Sequence, residues 1–383
     1  MKTALCTISA NNFLSYGLDC LLSNKKFNNY DYYYLIADDF QEELYLDYNN
    51  YVQFIRLEEI GIDNDTLIDL EFKYDIVEFN TSVKPAFYRY LFSKGYDNVI
   101  YLDPDIESYS KFTYLDSLLE NNNIILTPHK CTTTKSTFFK DNDFLNNGIY
   151  NLGFIAMRKS QETLSFLNWW DDALRNSCYL DYSYGMATDQ IWANLVPIYF
   201  EGVYISKHPG MNLAFWNIDE RNIEDNNGKI EVNNQDLMFI HYSSLSIGCK
   251  KELVQKIFQI APIFEKLYEK HIENVKSYKY DIFSKISYKY NYYDNGVFIP
   301  KEEKRFYGYA NLSTRFINPF STNKNSYYKK LKNNKIDCLE KLNDRNKKKL
   351  RVLVKILGIK KVLKISKYLS AINLHHISEL YVN

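Results

Sequence analysis

The sequence predicts an α/β protein with a mixed, mostly parallel sheet and flanking helices, followed by a helical C-terminal extension. Three observations predict this class. Short apolar segments alternate with amphipathic helical segments near the start of the chain. The composition, 46% hydrophobic and 25% charged, is that of a globular protein and excludes disordered and collagen-like chains. A chain of 383 residues is also long enough for a large core.

The predicted strands are short apolar runs, and they lie at residues 3–9, 32–37, 52–56, 98–102, 124–127 and 152–157. The predicted helices have apolar residues three or four positions apart, and they lie at residues 13–22, 83–93 and 161–174. Ligands of such a sheet bind beyond the carboxyl ends of its strands. Because the strand at 98–102 ends on Asp103-Pro104-Asp105, we expect both carboxylates at the ligand-binding edge.

Three regions are predicted: a main α/β domain at 1–250, a helical and irregular extension at 251–342, and a basic tail at 343–383. The extension starts with a pattern typical of one long helix at 251–271. The whole chain has a net charge of zero, but residues 321–370 hold 16 Lys and Arg against 3 Asp and Glu. Two amphipathic helices are predicted in this basic region, at 347–357 and 359–369. Such helices attach to anionic membranes, and packing on the acidic body is the alternative.

The compartment expected from the sequence is the cytosol, with possible attachment to the inner face of a membrane. The six cysteines form no Cys-x-x-Cys pair, which is typical of thiols in a reducing compartment and argues against a zinc site or disulfide framework. The first residues are expected to form a strand and not a signal peptide. No run reaches the roughly 18 apolar residues of a membrane span. No recognisable nucleic-acid-binding module surrounds the basic residues, so no nucleic-acid partner is expected.

Asp103 and Asp105 are candidate metal ligands because two carboxylates after a buried strand can face one crevice. A divalent cation held by few protein oxygens leaves room for the phosphates of a substrate. Such an ion would neutralise charge on a departing diphosphate. Asp and Pro are also common in turns at strand ends, so a purely structural turn is the alternative.

Several fragments extend this motif in a fixed order along the chain. They are Lys84-Pro-Ala-Phe-Tyr-Arg89-Tyr-Leu-Phe, Tyr96-Asp-Asn-Val-Ile-Tyr-Leu-Asp103-Pro-Asp105-Ile, Tyr150-Asn151-Leu-Gly153-Phe, Thr188-Asp189-Gln190 with Asn194, and His241-Tyr-Ser-Ser. In this order the chain resembles the GT-A-type glycosyltransferases that carry an Asp-x-Asp motif, and particularly the retaining glycosyltransferase family 8. The resemblance covers roughly residues 1–250. It implies a GT-A fold, which is a Rossmann-like nucleotide-diphospho-sugar transferase fold.

The resemblance implies that His241 is the third protein ligand of a Mn²⁺ ion, with Mg²⁺ as the alternative cofactor. An imidazole with two carboxylates suits Mn²⁺ better than ions that prefer only oxygen ligands. A hydrogen-bonded structural histidine is the other interpretation of His241. Ser244 stands where the family usually has a glycine, which places the local contact with the diphosphate in doubt.

The resemblance also implies roles for residues around the donor. Asn151 and Gly153 would lie against the donor sugar, Asp189 would bind its hydroxyls, and Gln190 would face the reacting carbon; Asp189 as a helix cap is the alternative. Lys84 or Arg89 would meet the diphosphate or the sugar, although five residues apart on a helix they point in different directions. A solvated cation without a ligand is the alternative for each. The remaining donor-side candidates are Thr7, Ile8, Ser9, Asp39, Leu102 and Pro104. Asn212, Trp216 and Asn217 are candidates for acceptor contacts, with core packing as the alternative for Trp216.

The sequence therefore predicts a metal-dependent glycosyltransferase that moves a sugar from a nucleotide-diphospho-sugar, expected to be a UDP-sugar, to a saccharide or lipid-linked acceptor. Retention of configuration and a role in surface polysaccharide or lipopolysaccharide biosynthesis follow from the resemblance alone. Two rival hypotheses are a phosphohydrolase of the haloacid-dehalogenase type and a non-catalytic module that binds sugar nucleotides. The first would use the earlier carboxylate of an Asp-x-Asp pair as its nucleophile.

Overall fold

The computed structural model describes residues 1–133, 138–333 and 361. The strands are β1 (Thr3–Ser9), β2 (Asp31–Ile36), β3 (Gln53–Ile55), β4 (Asn98–Leu102), β5 (Ile106–Ser108), β6 (Ile124–Leu126), β7 (Phe154–Arg158), β8 (Leu180–Asp181), β9 (Met186–Ala187), β10 (Val203–Ile205), β11 (Ile223–Asn226), β12 (Lys229–Val232), β13 (Gln235–Asp236) and β14 (Phe239–His241). The helices are α1 (Leu14–Lys25), α2 (Asn64–Lys73), α3 (Ile76–Ser82), α4 (Lys84–Ser93), α5 (Thr113–Leu119), α6 (Asp141–Asn147), α7 (Gln161–Ser177), α8 (Val196–Tyr199), α9 (Lys251–Ile260), α10 (Ile263–Ser277), α11 (Tyr280–Phe283), α12 (Lys301–Tyr309) and α13 (Tyr327–Lys332).

The central sheet has seven strands in the order β10-β6-β7-β4-β1-β2-β3. Every neighbouring pair is parallel except the two pairs that β7 makes, with β4 and with β6. Strands β1 and β4 are buried along their whole length, as expected where both faces of a parallel sheet are covered. The predicted α/β class with a mixed, mostly parallel sheet is confirmed.

The predicted bounds agree best with the structure where a strand is continuously apolar. β1 and β4 have the predicted bounds. The prediction of a single helix at 251–271 is wrong, because the chain forms α9 and α10 with Ala261 and Pro262 between them. A proline removes a helical hydrogen bond and its ring clashes with the preceding turn, so the periodic pattern cannot continue as one helix.

The chain divides into two compact units. The first contains residues 1–61 and 80–288 and includes the seven-stranded sheet. One of its apolar clusters surrounds Leu18, Tyr34 and Leu115, and a second surrounds Trp216 and Phe264.

The second unit contains residues 62–79 and 289–383. In its described part, α2, α12 and α13 contribute to an apolar cluster built around the buried ring of Phe72. Among the described residues, no helix is long and apolar enough to cross a membrane. The predicted helices at 347–357 and 359–369 lie outside the described residues apart from Lys361, and the predicted region boundaries at 250 and 342 stay predictions.

Gly17 lets α1 lie against strand β2. A Cβ atom at this position would overlap the phenol ring of Tyr34, whose hydroxyl lies 2.6 Å from the Ser9 hydroxyl at the end of β1. We expect Gly17→Ala to lower the free energy of unfolding by about 1–3 kcal/mol because it overpacks this contact. Alanine has the higher helix propensity, by about 1 kcal/mol, so a loss would identify the close approach as the dominant effect.

Urea unfolding of Gly17→Ala provides the measurement. The control is the same substitution in a Tyr34→Ala background, which removes the ring that the methyl group meets. There the loss should largely disappear. An equal loss in both backgrounds would contradict the proposed overlap.

Candidate functional site

Two very short strands bring the candidate metal ligands together. The chain leaves β4 at Leu102, passes through Asp103 and Asp105, and then forms β5. Strand β5 pairs antiparallel with β14, in a register that places His241 opposite Ile106. The backbone N–H of Tyr242 also donates to the carbonyl of Asp105 over 2.8 Å. The pairing therefore joins residues that are far apart in sequence.

Asp103, Asp105 and His241 each present one ligand atom, and these three atoms lie within 4.8 Å of one another. The Nε2 atom of His241 is 3.0 Å from an Asp105 oxygen and 3.8 Å from an Asp103 oxygen. Two carboxylates and one imidazole fit a Mn²⁺ ion, which accepts mixed nitrogen and oxygen ligands. The residues present therefore fit the cofactor that the sequence predicts.

The protonation of His241 is set by its surroundings. Burial by itself lowers the pKa of His241, but the negative charges of Asp105 and Asp103 more than offset this effect, and the pKa is raised. The Nδ1 atom of His241 lies 3.1 Å from the Oδ1 atom of Asn151. Since Oδ1 can only accept, Nδ1 carries a proton and Nε2 faces the carboxylates. A cation bound here would compete with the proton on Nε2.

Asn151 is held in place by the turn that leads into β7. Its Oδ1 atom also accepts a hydrogen bond from the backbone N–H of Gly153 over 3.2 Å. A Cβ atom on residue 153 would lie 2.6 Å from Nδ1 of His241 and 2.9 Å from Oδ1 of Asn151. Glycine is therefore required for the imidazole and the amide to approach each other this closely.

Lys84 begins α4 and is buried beneath the cluster. Its Nζ atom donates to Asp189 over 2.7 Å and to the carbonyl of Leu152 over 2.9 Å, and it lies 3.7 Å from an Asp103 oxygen. The ammonium group also lies 4.2 Å from the centre of the Tyr101 ring. Burial alone would lower the pKa of Lys84, but the two carboxylates raise it. Lys84 is therefore a buried cation shared by two candidate site residues.

Asp189 is buried and is not a helix cap. The nearest helix is a 3-10 turn over Trp192–Leu195, which has no side-chain cap. Besides Lys84, Asp189 accepts from the hydroxyl of Thr188 over 3.1 Å. Thr188 has a φ of 52°, which is strained for a β-branched residue and typical of functional sites. Gln190 follows directly and is partly buried.

Arg89 is on the same helix as Lys84 but is not brought to the cluster. Its guanidinium donates to Asp171 over 2.7 Å and to the carbonyl of Leu167 over 3.1 Å, both on α7. The five-residue spacing that predicts different directions for Lys84 and Arg89 agrees with this arrangement.

The candidates at the end of β1 are mostly buried. Thr7, Ile8 and Ser9 all have low exposure, and the Ser9 hydroxyl donates to the carbonyl of Ala10 over 2.9 Å. The hydroxyl of Thr7 has no hydrogen-bond partner among the described residues. Asp39 is exposed after β2. Because β1 and β4 are parallel neighbours, their carboxyl ends, including Leu102 and Pro104, lie on one edge of the sheet.

The acceptor-side candidates form a buried loop beside His241. Both amide protons of Asn217 are used within the protein, on the carbonyls of His129 and Asn212, at 3.1 and 3.0 Å. Asn212 donates to the hydroxyl of Thr127 over 3.2 Å and has a φ of 54°. The Trp216 ring lies edge-on to the His241 ring with centroids 5.2 Å apart. Asn212 and Asn217 thus brace the loop, and Trp216 supports a metal-ligand candidate.

His129 belongs to this site, although the sequence analysis did not single it out. Its Nε2 atom lies 3.3 Å from the Asn151 amide nitrogen, and its ring centroid lies 5.4 Å from that of Trp216. The sequence could have indicated His129 by its position shortly after β6. The carboxyl end of this strand lies at the same sheet edge as Asp103. Tyr101, which donates to Asp103 over 2.6 Å, was missed because it lies inside a strand.

Comparisons with known proteins give remote similarities, and no family model matches the chain. The protein YfnD of Bacillus subtilis strain 168, described as uncharacterized, is 23% identical over 206 residues. That match covers 53% of this chain and 64% of YfnD, so the chain spans less than two thirds of this relative.

Similar solved structures include an active-site mutant of LgtC, with a TM-score of 0.42 and 14% identity. Another is the galactosyltransferase LgtC with donor and acceptor sugar analogues, with a TM-score of 0.41 and 13% identity. Both matches cover 68% of this chain and 95% of the other. A glycosyltransferase involved in glycosylation of the major capsid of PBCV-1 has a TM-score of 0.35 at 9% identity, covering 68% of this chain and 98% of that one.

Lys84→Met would leave Asp189 and Asp103 without their buried cation. We expect the free energy of unfolding to fall by about 3–5 kcal/mol, since breaking a buried pair leaves an uncompensated charge. Urea unfolding at pH 7 measures this loss. Arg89→Met on the same helix is the matched control; its pair with Asp171 is partly exposed, and a loss of about 1 kcal/mol or less is expected. Equal losses in the two variants would contradict the assigned role of Lys84.

His129 predicts a specific pH dependence of stability. Burial lowers its pKa to about 4, whereas a histidine in the unfolded chain titrates near 6.5. As the pH falls below 6.5, the unfolded state takes up a proton that the folded state does not, and stability decreases. We expect His129→Phe to reduce the loss of unfolding free energy between pH 7 and pH 5 by about 2 kcal/mol. Urea unfolding at both pH values tests this, and an unchanged difference would contradict it.

Proposed function

We propose that this protein is a metal-dependent glycosyltransferase of the GT-A type, resembling the retaining family 8, that uses a UDP-sugar as donor. The acceptor is a hydroxyl of a saccharide or of a lipid-linked molecule, in the synthesis of surface glycans such as polysaccharide or lipopolysaccharide. The observation that carries the proposal is the meeting of Asp103, Asp105 and His241 at the carboxyl edge of the sheet. Asn151 contacts His241, and Asp189 is hydrogen-bonded to Lys84, whose ammonium group lies 3.7 Å from Asp103.

Asp103, Asp105 and His241 would hold the Mn²⁺ ion. A cation there would neutralise the negative charge that develops on the departing nucleoside diphosphate. Asn151 keeps the Nε2 atom of His241 turned toward the carboxylates, and such outer contacts fix the orientation of a ligating histidine. Tyr101 in turn orients Asp103 through its hydrogen bond.

Asp189 would accept hydrogen bonds from hydroxyls of the donor sugar. Its carboxylate is already fixed by Lys84 and Thr188, so its direction is set before the donor binds. Lys84 acts through Asp189 as a positioning residue, because its ammonium donates to protein groups on two sides. Preorganisation of this kind spares the cost of orienting the carboxylate on binding.

Retention of configuration is part of the proposal. An inverting transfer needs a carboxylate that acts as a base on the acceptor hydroxyl. Asp189 is tied to Lys84, and Gln190 is not basic. In a retaining transfer, an oxygen of the departing phosphate would take the acceptor proton on the same face of the sugar, and Gln190 would lie beside that face.

We also propose that the protein works in the cytosol at the inner face of a membrane, with the basic region 321–370 contacting anionic lipid. Its 16 Lys and Arg against 3 Asp and Glu support this location, because each cationic side chain near an anionic surface adds roughly 1 kcal/mol of attraction.

Calorimetric titration with UDP tests the proposal directly. Wild-type protein should bind UDP in the presence of Mn²⁺ and bind it at least about tenfold more weakly without the ion. Asp105→Asn keeps the shape of the side chain but removes a ligand charge, and it should lose most of the Mn²⁺-dependent binding. Asp116→Asn is the matched control, because Asp116 lies on α5 and accepts a hydrogen bond from Tyr30. It should bind UDP like the wild type.

Release of free UDP from a panel of UDP-sugars with Mn²⁺ separates an enzyme from a binding module. Slow, Mn²⁺-dependent hydrolysis that is absent in Asp105→Asn would support a transferase. UDP binding that changes neither with Mn²⁺ nor with Asp105→Asn would overturn the proposal. A trapped aspartyl phosphate on Asp103 would identify a phosphohydrolase instead.

A further inference from the structure

His271 on α10 lies in a fully buried group of ionisable side chains that is separate from the candidate metal ligands. Its Nδ1 atom is 3.0 Å from a carboxylate oxygen of Asp19 on α1 and 3.2 Å from one of Glu107 on β5. Asn274, one turn further along α10, donates to the other oxygen of Glu107 over 2.9 Å. The group therefore joins two helices to a strand.

The strand contacted by His271, β5, begins directly after the candidate metal ligand Asp105. Glu107 follows Asp105 by two residues and is paired in register with Ile240 of β14. The imidazole of His271 also stacks on the ring of Tyr242, with centroids 4.0 Å apart and planes inclined by 7°. Tyr242 directly follows His241, so one imidazole contacts the chain next to both candidate ligands.

The hydroxyl group of Tyr109 connects Glu107 to Tyr242. The hydroxyl of Tyr109 lies 3.1 Å from Glu107 and 2.6 Å from the hydroxyl of Tyr242. Glu107, Tyr109, Tyr242 and His271 thus form a closed set of contacts across the two strands. Both carboxylate oxygens of Glu107 are paired, one with Tyr109 and the other with Asn274, so this side chain is fixed between its neighbours.

The two strands need such support. β5 and β14 have three residues each, and an isolated two-stranded ribbon is marginally stable at best. Burying two carboxylates and an imidazole costs more free energy than burying apolar side chains of similar size. Burial lowers the pKa of His271, but its hydrogen bonds to Asp19 and Glu107 raise it to about 9. The hydrogen bonds of His271 therefore join α10 to α1 and β5 through directed contacts, which apolar packing does not supply.

We propose that His271, together with Asp19 and Glu107, is a positioning residue of the metal site. It holds β5 through Glu107 and β14 through Tyr242, and it thereby sets the separation of Asp105 and His241. The inference rests on the proposed function in one respect, since it requires these two residues to bind a divalent cation. It predicts that removing a side chain that touches no ligand weakens cation binding.

Mn²⁺ binding measured by electron paramagnetic resonance tests this inference without an activity assay. His271→Ala should bind Mn²⁺ at least about tenfold more weakly than the wild type, in the range known for residues that support metal ligands. The spectrum of the remaining bound Mn²⁺ should also change, because the ligand geometry is altered. His271→Asn returns an N–H donor near the position of Nδ1 and should recover a substantial part of the affinity.

Leu119→Ala is the control for a general loss of stability. Leu119 is a buried core residue on α5, and its truncation lowers stability by leaving a cavity. This variant should bind Mn²⁺ like the wild type. Far-ultraviolet circular dichroism verifies that each variant is folded. If His271→Ala does not fold, the isosteric Asp19→Asn takes its place, and Mn²⁺ binding several-fold weaker than that of the wild type is expected.

The outcomes separate this inference from the proposed function. Wild-type affinity for Mn²⁺ in folded His271→Ala, or an equal loss in Leu119→Ala, would overturn the positioning role while leaving the metal site intact. Absence of Mn²⁺ binding in the wild type would overturn the metal site and the positioning role together.

Discussion

The candidate site depends on one electrostatic constraint, the placement of three carboxylates at a single edge of the sheet. Asp103, Asp105 and Asp189 converge there, and such a concentration of negative charge is unfavourable unless cations accompany it. Lys84 supplies one cation from behind the carboxylates, and the raised pKa of His241 favours its protonated form as a second. Their positions follow from the fold, because Lys84 begins α4 and His241 ends the short strand β14.

The same constraint explains the small and polar residues around the cluster. Gly153 leaves room for the ring of His241, and the Oδ1 atom of Asn151 accepts a hydrogen bond from the N–H of Nδ1. Asn151 also contacts His129, whose pKa is lowered by burial so that the ring is neutral at physiological pH. A neutral ring adds no further positive charge beside His241. These small and polar residues thus hold the His241 ring in place without adding another charge beside it.

The sequence predicts those parts of this arrangement that depend on local pattern. Continuous apolar runs gave the bounds of β1 and β4, and the position of Asp103 at a strand end indicated the ligand-binding edge. The break between α9 and α10 was missed because helical periodicity continues on both sides of Pro262. Contacts between distant residues are not visible in a single sequence. The hydrogen bond from His271 to Glu107 is of this kind, since it joins two residues 164 positions apart.

Exposure and charge together explain why a cation suits this site. The side chains of Asp103 and Asp105 are 28% and 20% exposed, whereas those of Lys84 and His241 are 1% and 3% exposed. In the proposed function, an approaching diphosphate would therefore meet the carboxylates first and be repelled by them. With His241 protonated, the three carboxylates and two cations carry one net negative charge. A divalent cation that displaces the proton of His241 brings this total to zero and places positive charge on the exposed side. Under the proposed function, this arrangement of charges would favour ordered binding, in which the cation precedes or accompanies the nucleotide.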